Sequence, residues 1–317
     1  MAPLVRLLMA RLAVSLLTLL IVSVLVFMAT ELLPGDVAQA VLGQSATPEA
    51  VAALRAVMHL DQPAWLRYLT WLGGLLTLHP GHSLVNDLPV AQLIGSRLPN
   101  SLLLAGLTAM VAVPVALVLG ITAAVWRGGA YDRIVGLLTV SAVSVPEFLV
   151  ATLAVLVFAV QRHWLPSMFY EMPDRSAVQL LRAFALPVMT LSFVVIAQIA
   201  RMARAALINV LDSSYVEMAV LKGVRPLRLV LLHALPNALG PIVNAVALSV
   251  SFLLGGVIIV ETIFNYPGLA KLMVDAVTTR DMPLVQACAM IFCTAYLLLV
   301  LLADVFAILS NPRLRHR

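Results

Sequence analysis

Six stretches of this chain run for eighteen or more residues on almost unbroken apolar side chains: 12–30, 102–125, 134–160, 183–200, 239–260 and 282–303. At a rise of about 1.5 Å per residue, each is long enough to cross roughly 30 Å of hydrocarbon, so the pattern predicts six membrane-spanning helices. Five of the runs carry no charged residue, and the third holds a single carboxylate, Glu147, close to its middle. Pro114, Pro146 and Pro187 fall inside runs and predict kinks there.

Between the runs the polar segments differ in kind. Segment 31–101 is too long for a simple connector and should carry structure of its own. Thr47, Pro48 and Glu49 make a helix start, with Val51, Leu54 and Met58 on one face. A second start at Asp61, with Pro63 just inside, leads into WLRYLTWLGGLL, which is too short to span. Its Trp65, Tyr68 and Trp71 suit either a helix lying at headgroup level or one packed on the bundle.

Segment 201–238 has the most defined local grammar. Ser214 and Glu217 stand in the S-x-x-E relation of a capping box, which predicts a short helix from Tyr215. Gly223 is placed to stop it in a left-handed turn. Pro226 then suits a first helical position, and Leu227, Val230, Leu231 and Ala234 share one helical face before Pro236 closes the second helix. Lys222, Arg225 and Arg228 surround the corner. Two capped helices on a tight turn form a stiff projection that a partner could push as one piece, which a passive basic loop could not transmit.

Composition fits a polytopic membrane protein: 62% of the 317 residues are hydrophobic and 11% charged, outside the range of soluble domains. The formal charge of +5 is not a nucleic-acid signature once its distribution is followed. Twelve Lys and Arg fall in the N-terminus, the loop with Arg127 and Arg133, segment 201–238 and the C-terminal tail; eight fall in the three longer opposite segments. That density places both termini in the cytoplasm and 31–101 outside. The first run is longer than a signal-peptide core, and Phe27 stands where a cleavage site before Thr30 would need a small residue, so it reads as an uncleaved span. Cys288 and Cys293 both lie in an apolar run and form no secreted disulfide framework.

Glu217, Ala219, Gly223, Leu235 and Pro236 match, at intact spacing, the E-A-A, three residues, G, nine residues, I-x-L-P loop of permease subunits in binding-protein-dependent type I ABC importers. Met218 replaces an alanine and His233 the isoleucine. The chain resembles the dipeptide, oligopeptide and nickel branch, B-type subunit, through LLPGD at 32–36, LDQP at 60–63, Pro89 and Val90, RLPNS at 97–101, ETIFNYPGL at 261–269 and RDMP at 280–283. It departs where LHPGHS at 78–83 replaces GDLGxS, and where Asn311 precedes Pro312 and Arg313. The resemblance implies an all-α integral membrane protein, one permease domain over 1–317, with six spans and a cytoplasmic coupling helix, in a bacterial inner membrane. It implies that Glu217, Met218, Ala219, Gly223, Arg225, Leu235 and Pro236 couple to an ATPase. It further implies a second homologous permease, two ATP-binding subunits carrying ATP and Mg, and an extracytoplasmic solute-binding protein that delivers di- or oligopeptides or a related solute.

The residues themselves offer little catalytic chemistry. There is no G-x-x-x-x-G-K-[ST], since Lys222 precedes Gly223 and Lys271 precedes Leu272, so nucleotide must be bound in trans without a cofactor in this chain. Gly81, His82 and Ser83 lack the strand-to-helix context of a nucleophile elbow. His79 and His82 are separated by Pro80, which spoils a regular metal-binding face, and no metal is expected. Glu147 should face the bundle interior or water, because a carboxylate on the lipid face costs about 3 kcal/mol or more. With Phe148 it is the candidate for the solute pathway, towards a solute amino group; the alternative is hydrogen bonding that holds the kink at Pro146. Glu261 and Asp304, near the ends of spans, read as structural. The rival class is a stand-alone ion-coupled transporter, which would want paired intramembrane charges and repeated broken helices.

Overall fold

The computed structural model describes residues 2–32, 47–57, 61–170 and 176–310. Leu33 to Asp36, Met58, Leu60, Arg175 and the tail with Asn311, Arg313, Arg315 and Arg317 lie outside the described residues. The helices in chain order are α1 (Ala2–Glu31), α2 (Pro48–Val57), α3 (Ala64–Leu76), α4 (Val90–Val125), α5 (Ala130–Ser144), α6 (Glu147–Ala154), α7 (Ala177–Leu211), α8 (Ser214–Leu221), α9 (Pro226–Arg228), α10 (Leu235–Ile263), α11 (Leu269–Thr278) and α12 (Met282–Ser310). Five of the six apolar runs sit inside single helices, α1, α4, α7, α10 and α12, each longer than the run itself.

The third run is broken. Helix α5 ends at Ser144, and α6, extended by a π-helical stretch Val155–Gln161, leaves at 100°. Pro146 is the cause: its ring bars the helical conformation to the residue before it, and Val145 is extended at φ −90°, ψ 126°. Counted as one span, the bent pair completes six. Pro114 and Pro187 lie inside helices that continue without a break.

The chain clusters into two compact units. One comprises Met1–Leu12, Leu103–Tyr266 and Tyr296–Arg317. Its centre is α7 against α10, with α5 and α6 also packed on α7. Small residues let these helices approach, as expected where lipid supplies no hydrophobic drive between them: Ala124, Ala203, Ala234 and Ala238 form a buried cluster with Leu207, Val230 and Ile242. At Gly120 of α4 the approach is closest, since a Cβ there would stand 2.5 Å from the Ala200 carbonyl oxygen of α7. The carboxylate of Asp132 is held by Arg204 Nε and Nη2 at 2.5 and 2.8 Å and by the Gly128 N–H at 2.9 Å. Arg127 pairs with Asp212 at 2.8 Å and Arg11 with Asp304 at 3.3 Å. Beyond α10, Tyr266 is buried between Phe169 and Phe184; burial first, and the Glu261 charge second, push its phenol up.

The second unit comprises Ala13–Leu102 and Pro267–Ala295. Helix α2 starts where the sequence predicts, with Thr47 Oγ1 accepting the Ala50 N–H at 3.2 Å. Helix α3 resolves the two readings of its aromatics: Tyr68 and Trp71 pack on Phe27 of α1, and the Tyr68 hydroxyl meets Ser23 Oγ at 2.8 Å. Trp65 is 64% exposed. A core of Val90, Ile94, Leu269, Ala276, Leu284, Ala287 and Cys288 joins α4, α11 and α12.

The sequence motifs of this unit meet each other. In RLPNS, Asn100 Nδ2 donates to the Pro267 carbonyl at 2.8 Å, and Ser101 Oγ accepts the Leu269 N–H at 2.7 Å, both in NYPGL. In LHPGHS, the retained Ser83 donates to the Asp281 carboxylate of RDMP, whose second oxygen accepts the Leu84 N–H at 3.2 Å. Gly81 turns at φ +91°, and the chain returns with the Val90 N–H on its carbonyl at 3.0 Å. The LHPGHS sequence thus reaches Asp281 through its final serine.

Candidate functional site

Segment 201–238 is built from the continuation of α7, which runs on to Leu211 past the apolar run. The predicted capping box does not form. Ser213, not Ser214, is the N-cap of α8, and no side chain caps the helix. Ser213 Oγ instead donates back to the Val210 carbonyl, closing the end of α7, so Ser214 becomes the first helical residue and Glu217 is exposed. The backbone still starts the turn, with the Ser213 carbonyl accepting the Val216 and Glu217 N–H groups at 3.0 and 3.1 Å.

The corner forms as predicted. Gly223 adopts φ +75°; its N–H donates to the Val220 carbonyl at 2.9 Å, and the Val224 N–H reaches the Ala219 carbonyl at 3.2 Å. That is a Schellman motif, and its companion hydrophobic contact joins Val224 to Ala219 in a cluster with Val216, Leu229 and Leu211.

The second helix is not a separate element. Helix α9 passes directly into a π-helical turn, Leu229–Ala234, and that turn passes directly into α10. Pro236 does not close it, but stands in the first turn of α10. Proline lacks the N–H a regular helix needs and crowds the carbonyl one turn back; the wider π turn just ahead of it relieves both. The His233 carbonyl takes up the slack, accepting Asn237 Nδ2 at 2.8 Å and the Tyr215 hydroxyl at 3.4 Å. Of the predicted apolar face, Val230 and Ala234 are buried whereas Leu227 and Leu231 are exposed.

What results is a two-sided projection. Val216, Ala219 and Leu229 form its dry interior. Outward, Met218, Leu221 and Leu227 are 54%, 75% and 72% exposed, beside Lys222, Arg225 and Arg228. A shallow depression of about 580 Å³ lies at the tip, lined by Lys222, Gly223, Val224, Arg225, Leu227 and Arg228. Of the seven coupling candidates, Glu217, Met218, Gly223 and Arg225 are exposed on the projection, Ala219 packs inside it, and Leu235 and Pro236 belong to the root of α10. Sequence reasoning missed the anchors behind the projection, Arg204 with Asp132 and Arg127 with Asp212. The one available signal was Asp132 in the first turn after Gly128 and Gly129.

Glu147 sits at the break, the first residue of α6, half-buried. Its carboxylate rests on Gly256 of α10. No hydrogen bond holds the kink through this side chain among the described residues. Phe148 beside it is 55% exposed. Among the described residues no group of three or more His, Cys, Asp and Glu could hold a metal ion.

Residues 116–316 match the family described as binding-protein-dependent transport system inner membrane component, and residues 4–105 match the family described as the N-terminal part of the binding-protein-dependent transport system membrane component. The chain is 34% identical over 307 residues to a probable peptide ABC transporter permease protein of Sinorhizobium fredii, covering 96% of this chain and 98% of that one. It is 35% identical to a putative peptide transport system permease protein of Brucella abortus, covering 98% and 99%. It is also 38% identical to the glutathione transport system permease protein GsiC of Escherichia coli, covering 95% of each.

Proposed function

The chain belongs to the binding-protein-dependent transport system inner membrane components, as a permease subunit of an ABC importer, and from that premise we propose that it forms half of a pore for di- or oligopeptides. The peptide cargo is the reading favoured by the relatives named as peptide permeases. The other half is a homologous permease, a solute-binding protein delivers the peptide, and two ATP-binding subunits supply the work. Nucleotide and Mg stay on those subunits, since this chain has no phosphate-binding loop. The density of Lys and Arg supports cytoplasmic termini, and the family description supports a bacterial inner membrane.

The observation that carries the reading is the projection around Gly223: a stiff, internally packed corner that leaves Met218, Leu221 and Leu227 uncovered within a basic rim. Such a surface suits the groove of an ATP-hydrolysing partner. Closure of the ATPase pair moves the projection, the helices open towards the binding protein, and hydrolysis returns them. A stand-alone ion-coupled carrier would want repeated broken helices, and among the described residues a single span is broken.

A photo-reactive benzoylphenylalanine in place of Leu221 tests the proposal. In membranes of cells expressing the whole transporter, irradiation is expected to join this chain to the ATP-binding subunit. Labelling of the same position by an impermeant reagent added outside intact cells overturns the assignment.

A further inference from the structure

We propose that the Glu147 carboxylate, seated on Gly256 at the elbow of the broken span, binds the protonated amino group of the transported peptide. The inference rests on the peptide-permease reading and names the end of the peptide that the pore recognises.

Three observations lead there. The first is the elbow itself, where Pro146 ends one helix direction and Glu147 begins the next at 100°. A bend of that size inside a hydrophobic run exposes backbone carbonyls that must face protein or a water-filled space, never lipid. The second is the seat. A Cβ at Gly256 would stand 2.7 Å from Oε2, 3.0 Å from Oε1 and 3.2 Å from Cδ of Glu147. Any side chain at 256 would displace the carboxylate, so the glycine is what leaves room for it. The third is the missing partner. Among the described residues Glu147 makes no hydrogen bond and no ion pair, whereas Arg11, Arg67, Arg127, Arg204 and Lys271 are each paired with another carboxylate.

A half-buried carboxylate at membrane depth is costly to leave uncompensated, about 3 kcal/mol at a helix centre on insertion scales. No cation of the described residues pairs with it, so a cation brought from outside the chain has no competitor there. A divalent metal wants several ligands, and no such group exists among the described residues. A single carboxylate suits one ammonium, and a peptide with a free N-terminus carries one at neutral pH. Helix α7, packed on both arms of the elbow, carries buried hydroxyls at Thr190 and Ser192 that have no partner among the described residues. Hydroxyls of this kind suit peptide amides, though the proposal stands on Glu147 alone.

The test uses the assembled transporter in liposomes, with L-alanyl-L-alanine and N-acetyl-L-alanyl-L-alanine as probes. Carboxyl-directed dicyclohexylcarbodiimide labels Glu147, read by mass spectrometry with Glu147→Gln as the unlabelled control. Dialanine is expected to slow labelling at least tenfold while the acetylated probe does not, and Gly256→Ala to abolish the protection. Equal protection by both probes, or by neither, overturns the proposal. If Glu147 resists the reagent, uptake decides: Glu147→Gln complexes that assemble but take up dialanine at least tenfold more slowly support the site, and wild-type uptake overturns it. ATP-driven uptake of dialanine or of tetra-alanine by the unmodified transporter reports separately on the peptide reading. Its presence without protection sinks the site alone; its absence sinks both.

Discussion

Gly223 carries more of the projection's shape than any neighbouring side chain. At φ +75° an L side chain costs about 1–2 kcal/mol, and a β-branched one more, although open space surrounds the position. The strain is therefore conformational and not steric. Gly223→Val is expected to insert in the membrane normally, because no membrane-spanning run is touched. Its expected defect is loss of at least tenfold in uptake per ATP hydrolysed, measured as paired transport and phosphate release in liposomes. Normal coupling by this variant would count against a rigid corner. The serines nearby show the limit of residue-level reading. The S-x-x-E spacing fits Ser214 and Glu217, yet the N-cap position falls one residue earlier, at Ser213, whose hydroxyl is engaged with the end of α7 instead of capping α8. Spacing cannot register a competing acceptor that lies on the preceding helix.

At the scale of elements, the informative event is where a helix fails. Three prolines predict kinks alike, and only Pro146 splits its run into α5 and α6. Pro146→Ala restores an N–H and relieves the residue before it, and should let the two helices straighten towards one span. Spin labels at Tyr131 and Val160 would then move apart to about 44 Å, the length of an unbroken helix between them, from a much shorter separation in the bent pair. Dipolar spectroscopy measures this directly, and peptide uptake should fall with it; an unchanged distance would assign the bend to packing instead of proline. The π-helical turns at Val155–Gln161 and Leu229–Ala234 were not legible at all. Hydrophobic period does not separate them from ordinary helix over six or seven residues. The turn before Pro236 misled in a second way, since a proline at the end of an apolar pattern reads as a stop when no helix is known to continue.

For the molecule as a whole, apolar length made the spans and class legible, and the fixed spacing around Gly223 made the family legible. Contacts between distant segments were not. Ser83 and Asp281 are brought together across 198 positions, and Asn100 meets Pro267 across 167. Periodicity carries no information at that range, and each motif looked like an isolated signature until its partner was in view. Asp281 is 1% exposed and accepts both Ser83 Oγ–H and Leu84 N–H. Asp281→Ala strands both donors, at a cost of about 3 kcal/mol. It should lower the thermal midpoint of the detergent-solubilised protein and expose the 78–89 turn to protease; a variant as stable as the parent would mean the pair contributes little.

The passage of α9 through the π turn into α10 has a mechanical corollary. Leu227 at the exposed tip and Gly256 beneath Glu147 belong to one uninterrupted helical rod, about 40 Å apart along its axis. A twist applied at one end passes through the π turn and past Pro236 and Pro241 on its way to the glycine floor. On the two proposals above, a nucleotide-driven push on the projection would thereby reach the seat proposed for the ammonium, tying the release of cargo to the stroke of the engine.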